Sequence, residues 1–275
     1  MPEGPEVHII GCQLNRILSG RQLKNITIHG GRYKTHGAPE GWPLIDQAVS
    51  SAKVIITSVR VKGKLIYWQL SNGWYLLNTL GMSGSWRQRQ SKHCDVSFTY
   101  EKKRGGNARL WFKDQRHFGT LKFVDQSEMT KKLHSIGPDV LTSDFTLEKM
   151  QEICSKNTHW SLAKLLMNQK KLSGIGNYLK CEILYAAELS PHRDIASLNN
   201  EDVLALYKYC KSIPIASLEK KGVSIRDYAS PDDSEGSYQF SLKVYMKAKD
   251  PFGNKVKKEK TEDKRTTHWV PTVQK

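Results

Sequence analysis

Val54-Ile55-Ile56-Thr57-Ser58-Val59-Arg60-Val61, then Leu65-Ile66-Tyr67-Trp68-Gln69-Leu70, then Trp74-Tyr75-Leu76-Leu77-Asn78: three β-branched and aromatic runs decide the first half of this chain. Side chains of that shape fit a pleated, half-buried surface, and the Gly-, Asn- and Lys-bearing breaks between them read as turns. The same texture continues outward, back to Gln22 and on through Val96-Ser97-Phe98-Thr99-Tyr100 to Leu121-Lys122-Phe123-Val124. An antiparallel sandwich or barrel is therefore expected. Ahead of it Val7, Ile10, Leu14 and Ile17 recur at helical spacing behind Pro5 and Glu6, which predicts an N-terminal helix.

After Gly137-Pro138 the period changes. Leu147–Cys154, Trp160–Asn168, Asn177–Glu188 and Asn199–Cys210 read as amphipathic helices with Ser, Asn or Thr near their starts. Asp125–Ser135 reads as the connection between domains. Beyond Tyr238 the chain reads as strand again, and 243–264 is Lys-rich and interrupted by Pro251 and Gly253. There is no internal repeat. The expected class is α+β, with domains at 1–126, 136–240 and 241–275.

The chain has 275 residues, 38% of them hydrophobic and 25% charged, the composition of a folded globular protein rather than a disordered one. No stretch nears the ~20 apolar residues that a membrane span requires, and the first residues do not resemble a signal peptide. The 43 Lys+Arg exceed the 27 Asp+Glu by 16. Such an excess suits a polyanionic partner, most simply nucleic acid held by counterion release. The five cysteines stand singly, so neither a zinc knuckle nor a redox pair is suggested.

Several segments carry candidate chemistry, each with an ordinary alternative. Removal of Met1 would expose Pro2 as a secondary amine, able to attack an aldehyde carbon while Glu3 or Glu6 manages protons. The same residues also suit a plain helix start. Lys64 lies at a strand turn, where a lysine is ordinarily a solvated residue. Leu80-Gly81-Met82-Ser83-Gly84 reads as a glycine turn with Met82 as core filler. In Lys171-Leu172-Ser173-Gly174-Ile175-Gly176-Asn177-Tyr178, two glycines join predicted helices and leave a helix start whose amides could take a phosphate.

Together these segments resemble the formamidopyrimidine-DNA glycosylase and endonuclease VIII (Fpg/Nei) family, over nearly the whole chain and in the same order. Pro2-Glu3-Gly4-Pro5-Glu6, Lys64, Asp114-Gln115-Arg116-His117-Phe118-Gly119, Gly174-Ile175-Gly176-Asn177 and Arg265 carry the resemblance, and Lys221–Tyr228 also resembles a family segment. Gly4 is more similar to the endonuclease VIII branch. The resemblance implies a β-sandwich domain followed by a helix–two-turn–helix domain. It implies Pro2 as nucleophile and Glu3 as proton shuttle, with Lys64, Asn177 and Arg265 on phosphates and Gly174, Gly176 and Glu6 at the DNA-binding face. Met82, Arg116 and Phe118 would enter the duplex when a base is extruded, filling the void, meeting the orphaned base and wedging the stack. The run around Tyr228–Tyr238 would help form the lesion pocket.

One departure stands out. The family's C-terminal hairpin holds zinc through two C-x-x-C pairs, whereas no cysteine follows Cys210 here and Val270 and Val273 fall at the second pair. A zincless finger is expected, held by apolar packing, with no metal and no organic cofactor. The resulting expectation is a monomeric, bifunctional glycosylase and abasic-site lyase acting on oxidised bases, pyrimidines and formamidopyrimidines foremost, in duplex DNA. Action on single strands is left open. No membrane partner is expected, and the location would be intracellular: nuclear for a eukaryotic source, otherwise cytoplasmic or in a viral or host compartment. The rival readings are a non-enzymatic nucleic-acid binder using the helical module alone, and a non-catalytic lesion sensor.

Overall fold

Helix α1 (Gly4–Leu18) opens the fold with Val7, Ile10, Leu14 and Leu18 on its buried side. The computed structural model describes residues 2–223 and 237–275. Two units are formed: Pro2 with Glu6–His134, and Glu3–Pro5 with Ser135–Val223 and Ser237–Lys275.

In the first unit the strands are β1 (Arg21–Ile28), β2 (Val54–Lys62), β3 (Leu65–Leu70), β4 (Tyr75–Thr79), β5 (Ser85–Arg87), β6 (Cys94–Glu101), β7 (Asn107–Lys113) and β8 (Thr120–Val124). They form an antiparallel sheet in the order β5-β7-β6-β1-β2-β3-β4-β8. The sheet folds back on itself. Trp86 of edge strand β5 packs on Trp68 of β3, Phe98 of β6 and Phe112 of β7 at centroid distances of 5.1, 5.3 and 5.1 Å. Its indole N–H donates to Asn78 Oδ1 of β4 at 3.0 Å. Folding of the sheet over itself thus produces the sandwich, with aromatic rings in tilted contact at its centre.

Irregularities in the ladder explain why simple alternation reads poorly here. In β2 the buried positions move from Val54 and Ile56 to Val59, because the register shifts between Ile56 and Ser58. A bulge of this kind moves the buried set onto the other parity. Helices α2 (Arg32–Thr35) and α3 (Trp42–Ser51) fall between β1 and β2, where strands alone were expected. Residues 125–135, expected to be a connection, instead hold helix α4 (Gln126–His134). Only Met129 of that helix is buried, so its sequence carries almost no apolar stripe.

The second unit contains α5 (Leu147–Ser155), α6 (Leu162–Met167), α7 (Asn177–Ala186) and α8 (Asn200–Glu219). Side-chain oxygens cap three of these starts: Thr146 for α5, Ser161 for α6, and an Asn199–Asp202 capping box for α8. Helix α8 continues nine residues past its expected end at Cys210, through the buried Pro214. Packing outweighs the helix-breaking tendency of proline there. Every residue of α7 from Tyr178 to Tyr185 is buried, making it the axis of the unit.

The C-terminal part forms a hairpin of β9 (Lys257–Lys260) and β10 (Thr266–Trp269). The strand texture expected directly after Tyr238 is absent. Tyr238–Ser241 is a short 3₁₀ turn, and the chain that follows is shaped by carboxylates. Glu182 accepts the amides of Lys243, Val244 and Tyr245 at 2.8–3.0 Å, and Asp250 accepts those of Phe252 and Asn254 at 3.0 and 2.8 Å. Residues 224–236, which include most of the Lys221–Tyr228 segment and of the Tyr228–Tyr238 run, lie outside the described residues.

Candidate active site

In the second unit the acid that follows Pro2 is held at the N-terminus of α7. Glu3 is 2% exposed, and its carboxylate accepts the amides of Gly176 at 2.8 Å, Tyr178 at 2.9 Å and Leu179 at 3.2 Å. Three amides at the positive end of a helix complement a carboxylate. Gly4 N donates to Gly174 O at 2.8 Å, so the entering chain is pinned on both sides of the turn. The two glycines have separate physical reasons. Gly174 adopts φ +98°, and a Cβ on Gly176 would lie 2.2 Å from Glu3 Cδ.

This arrangement changes the reading of the Gly174–Gly176 turn. The amide of Gly176 is engaged by Glu3, and that of Gly174 donates to Gln169 Oε1 at 3.2 Å. An internal carboxylate therefore takes the place at the helix start that the sequence offered to a phosphate. Asn177, the first residue of α7, donates from Nδ2 to Thr266 O of β10 at 2.9 Å. Its Oδ1 is buried with no hydrogen-bond partner among the described residues. Arg265 is exposed immediately before β10, with its carbonyl accepting from Thr261 N at 3.2 Å.

Residues present in the hairpin do not suit zinc. Val270 packs in an apolar cluster with Val244, Val256, Cys181 and Tyr185, and Val273 lies against it. Cys181 is the thiol of that cluster, and burial pushes it up to about 12, far from a thiolate. Among the described residues no group of three or more His, Cys, Asp and Glu converges as a metal site would.

In the first unit Pro2 and Glu6 are buried, Glu6 completely, the latter in the first turn of α1. Lys64 is half-buried in the two-residue turn between Lys62 and Leu65, beside Gly63 at φ +57°. Met82, Arg116 and Phe118 come together on two facing loops. Arg116 Nη1 lies 3.9 Å from Met82 Sδ, and Phe118 is 59% exposed. A Cβ on Gly81, at φ +58°, would meet the Phe118 carbonyl carbon at 2.6 Å.

Asp114 organises this pair of loops, a role that its place in the motif did not reveal. Buried to 2% exposure, it accepts from Ser83 Oγ at 2.6 Å, Arg116 N at 3.3 Å and Gly119 N at 2.6 Å. His117, at φ +55°, reaches Asp95 at 3.1 Å, and Arg32 donates to the carbonyls of His117 and Gly119. Burial raises the Asp95 carboxyl, and the His117 imidazole opposes that rise. The loop can therefore present an aromatic and a guanidinium outward from a fixed base.

A folded-back sandwich behind an N-terminal helix, with a helical unit whose helices α6 and α7 are joined through a Gly-Ile-Gly-Asn turn and whose chain ends in a hairpin, defines the class of sandwich plus helix–two-turn–helix proteins. The formamidopyrimidine-DNA glycosylase N-terminal domain matches residues 1–121, its H2TH domain residues 136–229 and its C-terminal domain residues 231–275, so the chain belongs to this family. Formamidopyrimidine-DNA glycosylase of Listeria monocytogenes is 28% identical over 287 residues, covering 100% of both chains, and that of Salmonella arizonae is 28% identical over 91% of this chain and 90% of its own. The crystal structure of the MutM (Fpg) protein from Thermus thermophilus has a TM-score of 0.85 at 25% identity, covering 99% of this chain and 98% of that one. A Lactococcus lactis Fpg variant in complex with Fapy-dG containing DNA gives a TM-score of 0.86 at 23% identity over 100% of both chains, a likeness of fold. No helix among the described residues is long and apolar enough to cross a membrane.

Proposed function

We propose that this chain is a DNA glycosylase of base excision repair that acts on damaged double-stranded DNA and also cleaves the strand as an abasic-site lyase. The observation that carries the reading is Glu3, a carboxylate fixed by three amides one residue after Pro2. With Met1 removed, the Pro2 nitrogen attacks C1′ of the damaged nucleotide. The bond from C1′ to the base breaks, and Glu3 moves the proton as the sugar ring opens and the base departs. The iminium so formed acidifies the adjacent C–H bonds, and β- then δ-elimination breaks the two C–O bonds to the flanking phosphates.

Lys64, Asn177 and Arg265 hold the backbone, Arg265 through a planar fork suited to phosphate oxygens. Glu6, Gly174 and Gly176 support DNA binding, the glycines by admitting Glu3 rather than by binding phosphate. Met82, Arg116 and Phe118 stand in for the extruded base. The hairpin acts as a zincless finger, its valines packing where thiolates would stand. Oxidised pyrimidines and formamidopyrimidines are the proposed lesions, on the resemblance to the endonuclease VIII branch.

The test is borohydride trapping on a duplex carrying one oxidised pyrimidine. A covalent protein–DNA band that disappears when the N-terminus is blocked is the expected result. Glu3→Gln should lose base excision and retain binding. Normal excision by that variant, or no trapped band on either this duplex or an abasic-site control with binding intact, would favour the non-enzymatic binder.

A further inference from the structure

We propose that Lys180 and Asp263 are a positioning pair for Arg265, an inference that rests on reading Arg265 as a phosphate-gripping side chain. Lys180 lies in the middle of α7 with its side chain 0% exposed, and its Nζ meets Asp263 Oδ2 at 2.6 Å, the aspartate side chain being 4% exposed. A fully buried lysine is among the rarest placements a side chain takes. Buried ion pairs can often be replaced by apolar residues with no loss of stability, so stability alone is a poor account of this one.

Where the pair leads gives a better account. Asp263 lies in the turn between Lys260 and Thr266, two residues before Arg265. Its second carboxylate oxygen, Oδ1, takes the Thr261 hydroxyl, and the Thr261 amide in turn donates to Arg265 O at 3.2 Å. The backbone of Arg265 is thereby tied through Thr261 and Asp263 to the ammonium of the most buried helix in the unit. That helix also carries Asn177 and receives Glu3 at its N-terminus. A second anchor acts one residue away, where Glu262 accepts from Ser161 N and Oγ at 3.2 and 2.6 Å and from Lys164 Nζ at 2.5 Å. The Arg265 side chain stays exposed while its main chain is held. Such an arrangement lets a guanidinium engage a phosphate with little ordering left to do.

The experiment is a double-mutant cycle on the full chain. Lys180→Met combined with Asp263→Leu removes both charges and keeps apolar bulk; if that variant does not fold, Asp263→Asn takes its place. Arg265→Ala is then added to the wild type and to this background, and binding to damaged duplex is measured across a salt series. In the wild type it should weaken binding about tenfold and flatten the salt slope by about one phosphate contact. In the background variant both effects should already be present, and adding Arg265→Ala should change affinity less than about twofold. An equal loss on adding Arg265→Ala in both backgrounds overturns the proposal. Amide exchange of residues 261–267 without DNA gives a second readout. Protection should fall there and persist along α7, and unchanged protection also overturns the proposal. If Arg265→Ala has no effect in the wild type, the phosphate reading of Arg265 fails, and the exchange result alone decides whether the pair holds the turn.

Discussion

Two surface loops of this protein present an arginine outward from a buried carboxylate, and they do so by different means. In the first unit Asp114 anchors the loop of Arg116 and Phe118 through neutral donors, namely one hydroxyl and two amides from neighbouring chain. In the second unit Asp263 anchors the turn of Arg265 through Lys180, a charge 83 residues away in sequence. Neutral donors balance a buried carboxylate by spreading its charge over several short bonds. An ammonium balances it with one strong interaction, so the Asp263 carboxylate leans on a single remote charge, beside one local hydroxyl, where Asp114 leans on neutral donors alone.

The largest expected effect tests that contrast directly. Lys180→Met leaves the Asp263 charge buried and unpaired, and should lower the unfolding free energy by about 3–5 kcal/mol in denaturant melts. Asp114→Ala strands amides and a hydroxyl rather than a charge, and should cost about 1–3 kcal/mol. A reversed ranking would break the comparison.

The two arginines should then separate by salt dependence. Arg265→Ala should flatten the slope of affinity against salt by about one phosphate contact. Arg116→Ala, on the base-facing role proposed for Arg116, should leave the slope unchanged and lower excision. Equal slopes in the two variants would assign both to the backbone.

A smaller effect concerns acid. Glu262 is held down to about 2 by Lys164 and then Ser161, below the ordinary glutamate value of 4.5. A depressed carboxylate contributes stability above its unfolded value and loses it as pH falls toward the folded one. The anchoring of the turn should therefore be constant above about pH 4.5 and decline from there toward about 2. Exchange protection of residues 261–267 measures this, and Glu262→Gln should remove the acid-sensitive part.

Legibility followed the range of the interactions. Strands β2, β3, β4, β6 and β8 and helices α1, α5, α6 and α7 announced themselves because their side-chain periods are local. Helix α4 did not, because its polar surface leaves only Met129 inward. The extension of α8 past Cys210 was hidden by Pro214, whose cost is overridden by burial. At the site, the glycines of Gly174-Ile175-Gly176 read correctly as a tight turn. Their purpose did not, since the carboxylate that Gly176 admits lies 173 residues away.

Legible along the chain were the order of the main strands and helices, the family, and the residue types proposed for the chemistry. Those follow from periodicity, turn chemistry and motif spacing along one chain. The fold alone shows that Glu3 fills the start of α7, that Asp114 and Asp263 sit beneath the two arginine loops, and that Val244, Val256 and Val270 pack together near the C-terminus. Each of those is a contact between groups separated along the chain, fixed by burial and by the need to satisfy buried charge. A linear pattern carries no record of which distant group meets that need.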